Sequence, residues 1–225
     1  MSDLETLRAA AESLLLTDEG PLAGDRWLWE HSLRVADYCA ILINAPEVAH
    51  DLPSLDPILV AAWFYSAGWA IQAQDGQVGR WQVLGRPTND LQRELALNAM
   101  LERAGNLAST NIVQYAAAII RSSADRDTDI PEALVLAEAV SLDEIGLLYS
   151  LRQFRQYQAE GRPLSQFIDT WQRQQEYKYW ETRIRDGLRF ECSRAIARQR
   201  IAAVDEMMTG LRNAITGQDL KAMIE

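Results

Sequence analysis

The chain has 225 residues, 48% of them hydrophobic and 24% charged, which fits one large globular domain or two small ones and excludes a disordered or collagen-like chain. Twenty-two Lys and Arg against thirty-two Asp and Glu leave a net charge of −10, which opposes binding to a phosphate backbone, so no nucleic-acid partner is expected. The longest apolar runs, such as Ile58 to Tyr65, fall short of the roughly 20 residues that cross a bilayer, and no leader-like segment follows Met1. The expectation is a soluble, cytoplasmic protein with no membrane partner. Cys39 and Cys192 lack a C-x-x-C spacing, so neither a disulfide framework nor a zinc knuckle is expected. Two histidines, His31 and His50, exclude any site that needs three.

Hydrophobic spacing follows a helical period almost throughout, which predicts an all-α fold. Leu4 to Leu16 reads as a first amphipathic helix and Asp25 to Asn44 as a second, with Leu28, Val35, Ala36, Cys39 and Leu42 on its apolar face. Asp56 as N-cap and Pro57 at the first helical position open a helix, Ile58 to Ile71, that is apolar nearly all round and belongs at the centre. Gln72 to Thr88, with Gly76, Gly79, Gly85 and Pro87, reads as a long loop, either functional or disordered, in which Trp81 is a candidate lid or partner contact.

Asn89 or Asp90 caps a helix to Arg103 that stops at Gly105, and Ser109 or Thr110 caps another to Arg121. Ser123 to Ile130 is a solvated turn. Pro131 opens a short helix to Ala139, and Ser141 with Glu144 has capping-box spacing for a helix ending near Gly161. Pro163 to Gly187 and Leu188 to Gly217 complete the chain as a helical pair. The expectation is a single domain over residues 1–225, with a core of about 25–160 and a C-terminal helical arm of about 163–217. Apart from Trp81, the tryptophans sit at helical spacing among Leu and Ala and read as core.

The segments EHSLRVADYCAILI, LVAAWFYSAGWAI, AAIIRSS and PEALVLAEAVSLDEIG, in this order and spacing, resemble the HD-domain metal-dependent phosphohydrolase superfamily. RQFRQYQAEG and YWETRIRDGLRFECSRAIARQRIAAVDEMM are similar to the arm and closing helix of a small bacterial-type branch. The resemblance covers about residues 25–210, and Leu142-Asp143-Glu144-Ile145-Gly146 is its sharpest local match. It implies an HD-domain-like helical bundle in which two imidazoles and two carboxylates from separate helices hold a divalent metal. Open positions on that metal activate water for attack on a phosphoester.

Carried over position by position, His31 matches the first histidine of the family. Its His-Asp pair falls on Tyr65 and Ser66, and its later aspartate falls on Val140. Asp90, Leu91, Gln92 and Ile120-Arg121-Ser122-Ser123 stand where some members carry further histidines. Phenol and hydroxyl stay protonated at neutral pH and Val has no donor, so three of the four ligands are missing. The literal pair His50-Asp51 lies between Pro46 and Pro53 and reads as a surface turn. Glu138 precedes Val140 by two residues and points about 200° around the helix from it. A dyad of His31 with Cys39 fails on distance, roughly 12 Å along one helix.

The expectation is therefore a degenerate HD-domain protein with no catalytic residue, metal or cofactor. Its vestigial pocket comprises His31, Arg34, Tyr65, Ser66, Arg121, Glu138 and Asp143. Tyr65 either fills the vacated volume or lines a pocket in which Arg34 or Arg121 binds a small phosphorylated ligand. Its role would be regulatory or ligand- or partner-binding, with a homodimer as one form. The alternatives are an active phosphohydrolase on a nucleotide or other phosphoester, its site rebuilt around His31, Glu138 and Asp143, and a purely structural helical scaffold.

Overall fold

A computed structural model describes residues 3–51, 53–85, 87–107 and 110–224, the side chains of residues 81, 84, 85 and 110 excepted. Every regular element among the described residues is helical, so the all-α class holds in the form of a helical bundle. None of these helices is long and apolar enough to cross a membrane. Two compact units divide the chain, Met1–Val140 and Ser141–Glu225. The division falls at residue 140, inside a helix.

In the first unit α1 (Asp3–Leu15) buries Leu7, Ala11, Leu14 and Leu15, an i, i+4, i+7, i+8 stripe that faces inward. The Asp25 carboxylate accepts the Trp27 N–H at 2.9 Å and opens α2 (Trp27–Leu42), which buries all five residues of its expected apolar face. α3 (Leu55–Phe64) is buried nearly all round and packs against α1, α2, α6 (Asp90–Ala104) and α7 (Thr110–Ser122), as its composition predicts for a central helix.

The expected continuous helix from 58 to 71 is interrupted. α3 ends at Phe64 and α4 runs over Ala67–Gln74. The Trp69 N–H bonds the Ser66 carbonyl at 3.1 Å, a tight three-residue turn at the junction. The reason lies in packing against α6 (Asp90–Ala104), because a Cβ on Gly68 would stand 2.0 Å from the Gln92 carbonyl oxygen. The bend and the bare glycine together bring the α4 backbone this close to α6.

The Gln72–Thr88 loop also needs correction, since Gln72 belongs to α4 and Arg80–Gly85 forms a short helix, α5. The Gly79 N–H donates to the Gln82 side chain at 2.5 Å, and Arg80 donates to the Ala23 carbonyl at 3.0 Å. These two bonds, one local and one across 57 residues, offset the glycine cost of the segment. Trp81 lies in α5 with its side chain outside the described ones.

Asn89 is the cap of α6, in a full capping box with Gln92, whose amide also donates to Gln72 at 2.7 Å. α7 spans Thr110–Ser122, and the alternative cap Ser109 lies outside the described residues. α8 spans Pro131–Asp143, longer than the expected helix to Ala139. The Ser141/Glu144 capping box does not form, because Ser141 is still inside α8 and the next helix begins after Gly146, at φ 108°.

In the second unit α9 (Leu147–Ala159), α10 (Leu164–Glu176), α11 (Tyr179–Gly187) and α12 (Glu191–Thr216) pack around aromatic side chains. Trp180 is buried at the centre, its ring 5.3 Å from Tyr149, 5.0 Å from Tyr179 and 5.7 Å from Trp171. The expected Pro163–Gly187 stretch breaks at Tyr177 and Lys178, where Lys178 takes a left-handed conformation, φ 53°. Gly217, φ 66°, ends α12 as expected, and a further short helix, α13 (Gln218–Ile224), follows it.

Candidate functional site

His31 lies one turn into α2 and turns inward with Ser32, Val35 and Ala36. Tyr65 and Ser66 form the junction of α3 and α4, and Glu138 sits on α8; all four polar side chains, His31 included, are buried. Helices α2 and α3 pack directly on each other, so the imidazole-bearing helix and the tyrosine-bearing turn are neighbours in the first unit. Val35 and Ala36 on α2, Trp63 and Phe64 on α3 and Trp69 on α4 are buried as well.

The two arginines of the expected pocket are placed differently. Arg34 is half-buried, with its guanidinium 5.2 Å from the centre of the Trp27 ring, a cation–π contact. Arg121 is exposed at the end of α7 and pairs with Glu94 at 3.3 Å. Its position is that of a solvated surface residue. Asp143 is buried at the last residue of α8, in the second unit. It follows Glu138 by five residues, about 140° around the helix, so the two carboxylates leave α8 on different faces. Among the described residues no three His, Cys, Asp or Glu side chains gather into a group able to hold a metal ion.

His50 and Asp51 behave as the surface turn expected of them: the ring nitrogen lies 3.3 Å from the carboxylate in a single exposed 3-10 turn, Ala49–Asp51. Burial pushes the Cys39 thiol well above the usual range and leaves it an inert packing group. Trp29, Trp63, Trp69, Trp171 and Trp180 are buried, in line with the packing role read from their spacing.

Two polar constellations escaped the sequence reading. Buried Glu132, in the first turn of α8, accepts the Ser54 N–H at 2.7 Å on one oxygen and the Tyr115 hydroxyl at 2.7 Å on the other. It lines an open hollow of about 670 Å³ with Tyr115, Asp51, Thr128 and Asp129. Burial, the hydrogen bond to Glu132 and the charge of that carboxylate push the Tyr115 phenol up to about 12. At neutral pH it is a fixed proton donor.

In the second unit Glu144 receives Arg183 at 2.5 Å and lies 3.8 Å from Arg152. Desolvation lowers the Arg183 affinity for its proton, but the Glu144 charge and the Tyr179 hydroxyl raise it further, and the net direction is up. The Arg152 guanidinium lies 5.3 Å from the Tyr149 ring centre. For the second constellation the sequence signal was Glu144, at capping-box spacing from Ser141; the reading of Pro131 to Ala139 as a short helix gave Glu132 no role.

None of the hollows lined by these groups, or by Tyr149, Tyr157, Phe167 and Trp171 in the second unit, or by Leu22, Trp27 and Arg80 in the first, includes His31, Tyr65, Ser66 or Glu138. The chain matches no family model, no curated protein and no solved structure.

Proposed function

We propose that the protein is a catalytically degenerate relative of the HD-domain phosphohydrolases with a regulatory or binding role. One observation carries the reading. At the two positions where the resemblance calls for a His-Asp pair, a phenol and a hydroxyl, Tyr65 and Ser66, are buried in the turn between α3 and α4. Neither group ionises near neutral pH, and a single imidazole, His31, gives a divalent ion too few donors. With Tyr65 occupying that volume, the core keeps its packing and the work passes to ligand or partner binding, a small phosphorylated ligand being the first candidate.

Elemental analysis of protein purified without chelator tests this directly: the expected metal content is far below one ion per chain. Near-stoichiometric Mn, Fe, Co, Ni or Zn that disappears in His31→Ala would overturn the degenerate reading in favour of an active phosphohydrolase. A thermal-shift screen with nucleotides and phosphorylated metabolites then separates the binding roles. Stabilisation by one such compound, lost in Arg34→Ala, supports a pocket; uniform absence of stabilisation leaves partner binding.

A further inference from the structure

Two guanidinium groups share Glu144. Its carboxylate accepts Arg183 at 2.5 Å on one oxygen and lies 3.8 Å from Arg152 on the other. The three side chains are largely withdrawn from solvent, 16% exposed for Glu144, 29% for Arg183 and 11% for Arg152. Both guanidiniums keep their charge at neutral pH, so this cluster holds one positive charge more than it holds negative. Such a surplus is costly to bury until an anion meets it. The Tyr149 ring, 5.3 Å from Arg152, offsets part of the cost through a cation–π contact. The Arg152 Nε nevertheless stays buried without a hydrogen-bond partner among the described residues.

Arg183 is the member of the cluster that reaches an opening. It lines a hollow of about 370 Å³ with Ser141, Ile145, Asp186, Gly187 and Leu188, within the range of small-ligand sites, about 300–1,000 Å³. Glu144 and the Tyr179 hydroxyl, the latter at 3.3 Å, already hold its guanidinium, so little side-chain freedom is left to lose on binding. Ser141 adds a hydroxyl to the wall, and Ile145 and Leu188, both buried, add an apolar side. Asp186 is bonded through both oxygens by Arg185, at 2.7 and 2.8 Å. Across these groups three guanidiniums meet two carboxylates. That balance suits a single negative charge, whereas a phosphate dianion exceeds it and shares the hollow with Asp186. We infer that this hollow of the second unit binds a small monocarboxylate with a short aliphatic body, its carboxylate on Arg183 and Ser141 and its chain against Ile145 and Leu188. The site shares no residue with the pocket expected around His31 and Tyr65, and it does not depend on the degenerate reading.

Ligand-observed NMR titration of the full chain with hexanoate tests the inference. One saturable site is expected, with a dissociation constant of about 0.1–1 mM for a molecule of this size. Acetate lacks the chain, hexanol lacks the charge and inorganic phosphate carries too much of it; each is expected to bind about tenfold weaker or less. Arg183→Gln is expected to weaken hexanoate by about tenfold or more. Because that change also disturbs Glu144, Gly187→Leu serves as a second variant. Position 187 is exposed, has no positive φ and leaves an added Cβ 3.9 Å from the Arg183 Cγ. The new side chain takes up room in the hollow while Arg183 keeps Glu144, so hexanoate binding is expected to fall about tenfold or more with the melting temperature unchanged or raised. Absence of saturable binding up to about 10 mM hexanoate would overturn the site. So would acetate, hexanol or phosphate binding as tightly as hexanoate, or full affinity in Gly187→Leu.

Discussion

Glu132 anchors two separate pieces of chain, the backbone at Ser54 and the α7 side chain Tyr115, through the two oxygens of one buried carboxylate. Glu132→Gln keeps the size but puts a donor where an acceptor is needed, and is expected to lower unfolding free energy by about 1–3 kcal/mol in urea titrations. Tyr115→Phe removes only the phenol half of the arrangement and is expected to cost less, about 1 kcal/mol. The Tyr115 phenol rises from 10.0 to about 12, so its contribution is complete below pH 10 and is lost as the pH climbs through that interval. In absorbance titration the Tyr149 phenol, raised by burial, should ionise late in both proteins, whereas the Tyr115 phenol should ionise late in the wild type and earlier in Glu132→Gln. Tyr65 belongs to the same scale. If its ring fills the core, Tyr65→Ala is expected to cost about 3–5 kcal/mol with no gain in metal binding; a loss under about 1 kcal/mol would place the ring on the wall of an open pocket.

Among the elements, those whose pattern is local were legible in the sequence. The stripe of α1, the face of α2, the capping box of α6 and the glycine stop of α12 each follow from neighbours within a few residues. The break at Tyr65 was not, because its cause lies outside the local stretch, where the Gln92 backbone approaches Gly68, 24 residues earlier in the chain. For the same reason the site was legible only in residue identity. The sequence offers His31, Tyr65, Ser66 and Glu138, and their burial depends on helix packing that no local spacing encodes. Gly68→Ala should therefore be far costlier than an ordinary helix Gly→Ala, which gains stability. Overpacking against a backbone oxygen is expected to cost at least about 1–3 kcal/mol, read as a lowered urea midpoint with little change in slope. At the other helix junction, Glu144 was read as a cap but instead receives Arg183 and faces Arg152. Glu144→Gln leaves two guanidinium groups without their carboxylate and is expected to lower stability by about 1.5–3 kcal/mol, the usual value of a partly buried charged hydrogen bond.

Over the whole molecule the charge is distributed unevenly: eleven excess acidic groups reside in residues 1–140, and residues 141–225 are nearly neutral. Surface ion pairs such as Arg121–Glu94 and Arg26–Glu30 are exposed on both sides and contribute little, about 0–1 kcal/mol each. Repulsion among the excess carboxylates acts over a longer range. Screening shrinks from a Debye length of about 30 Å at 0.01 M salt to about 3 Å at 1 M, which relieves that repulsion more than it weakens the few pairs. Raising NaCl from about 0.01 to about 0.5 M should thus increase the melting temperature of the first unit by a few degrees, followed by calorimetry on the full chain. A melting temperature that falls with salt would mean that ion pairs outweigh repulsion.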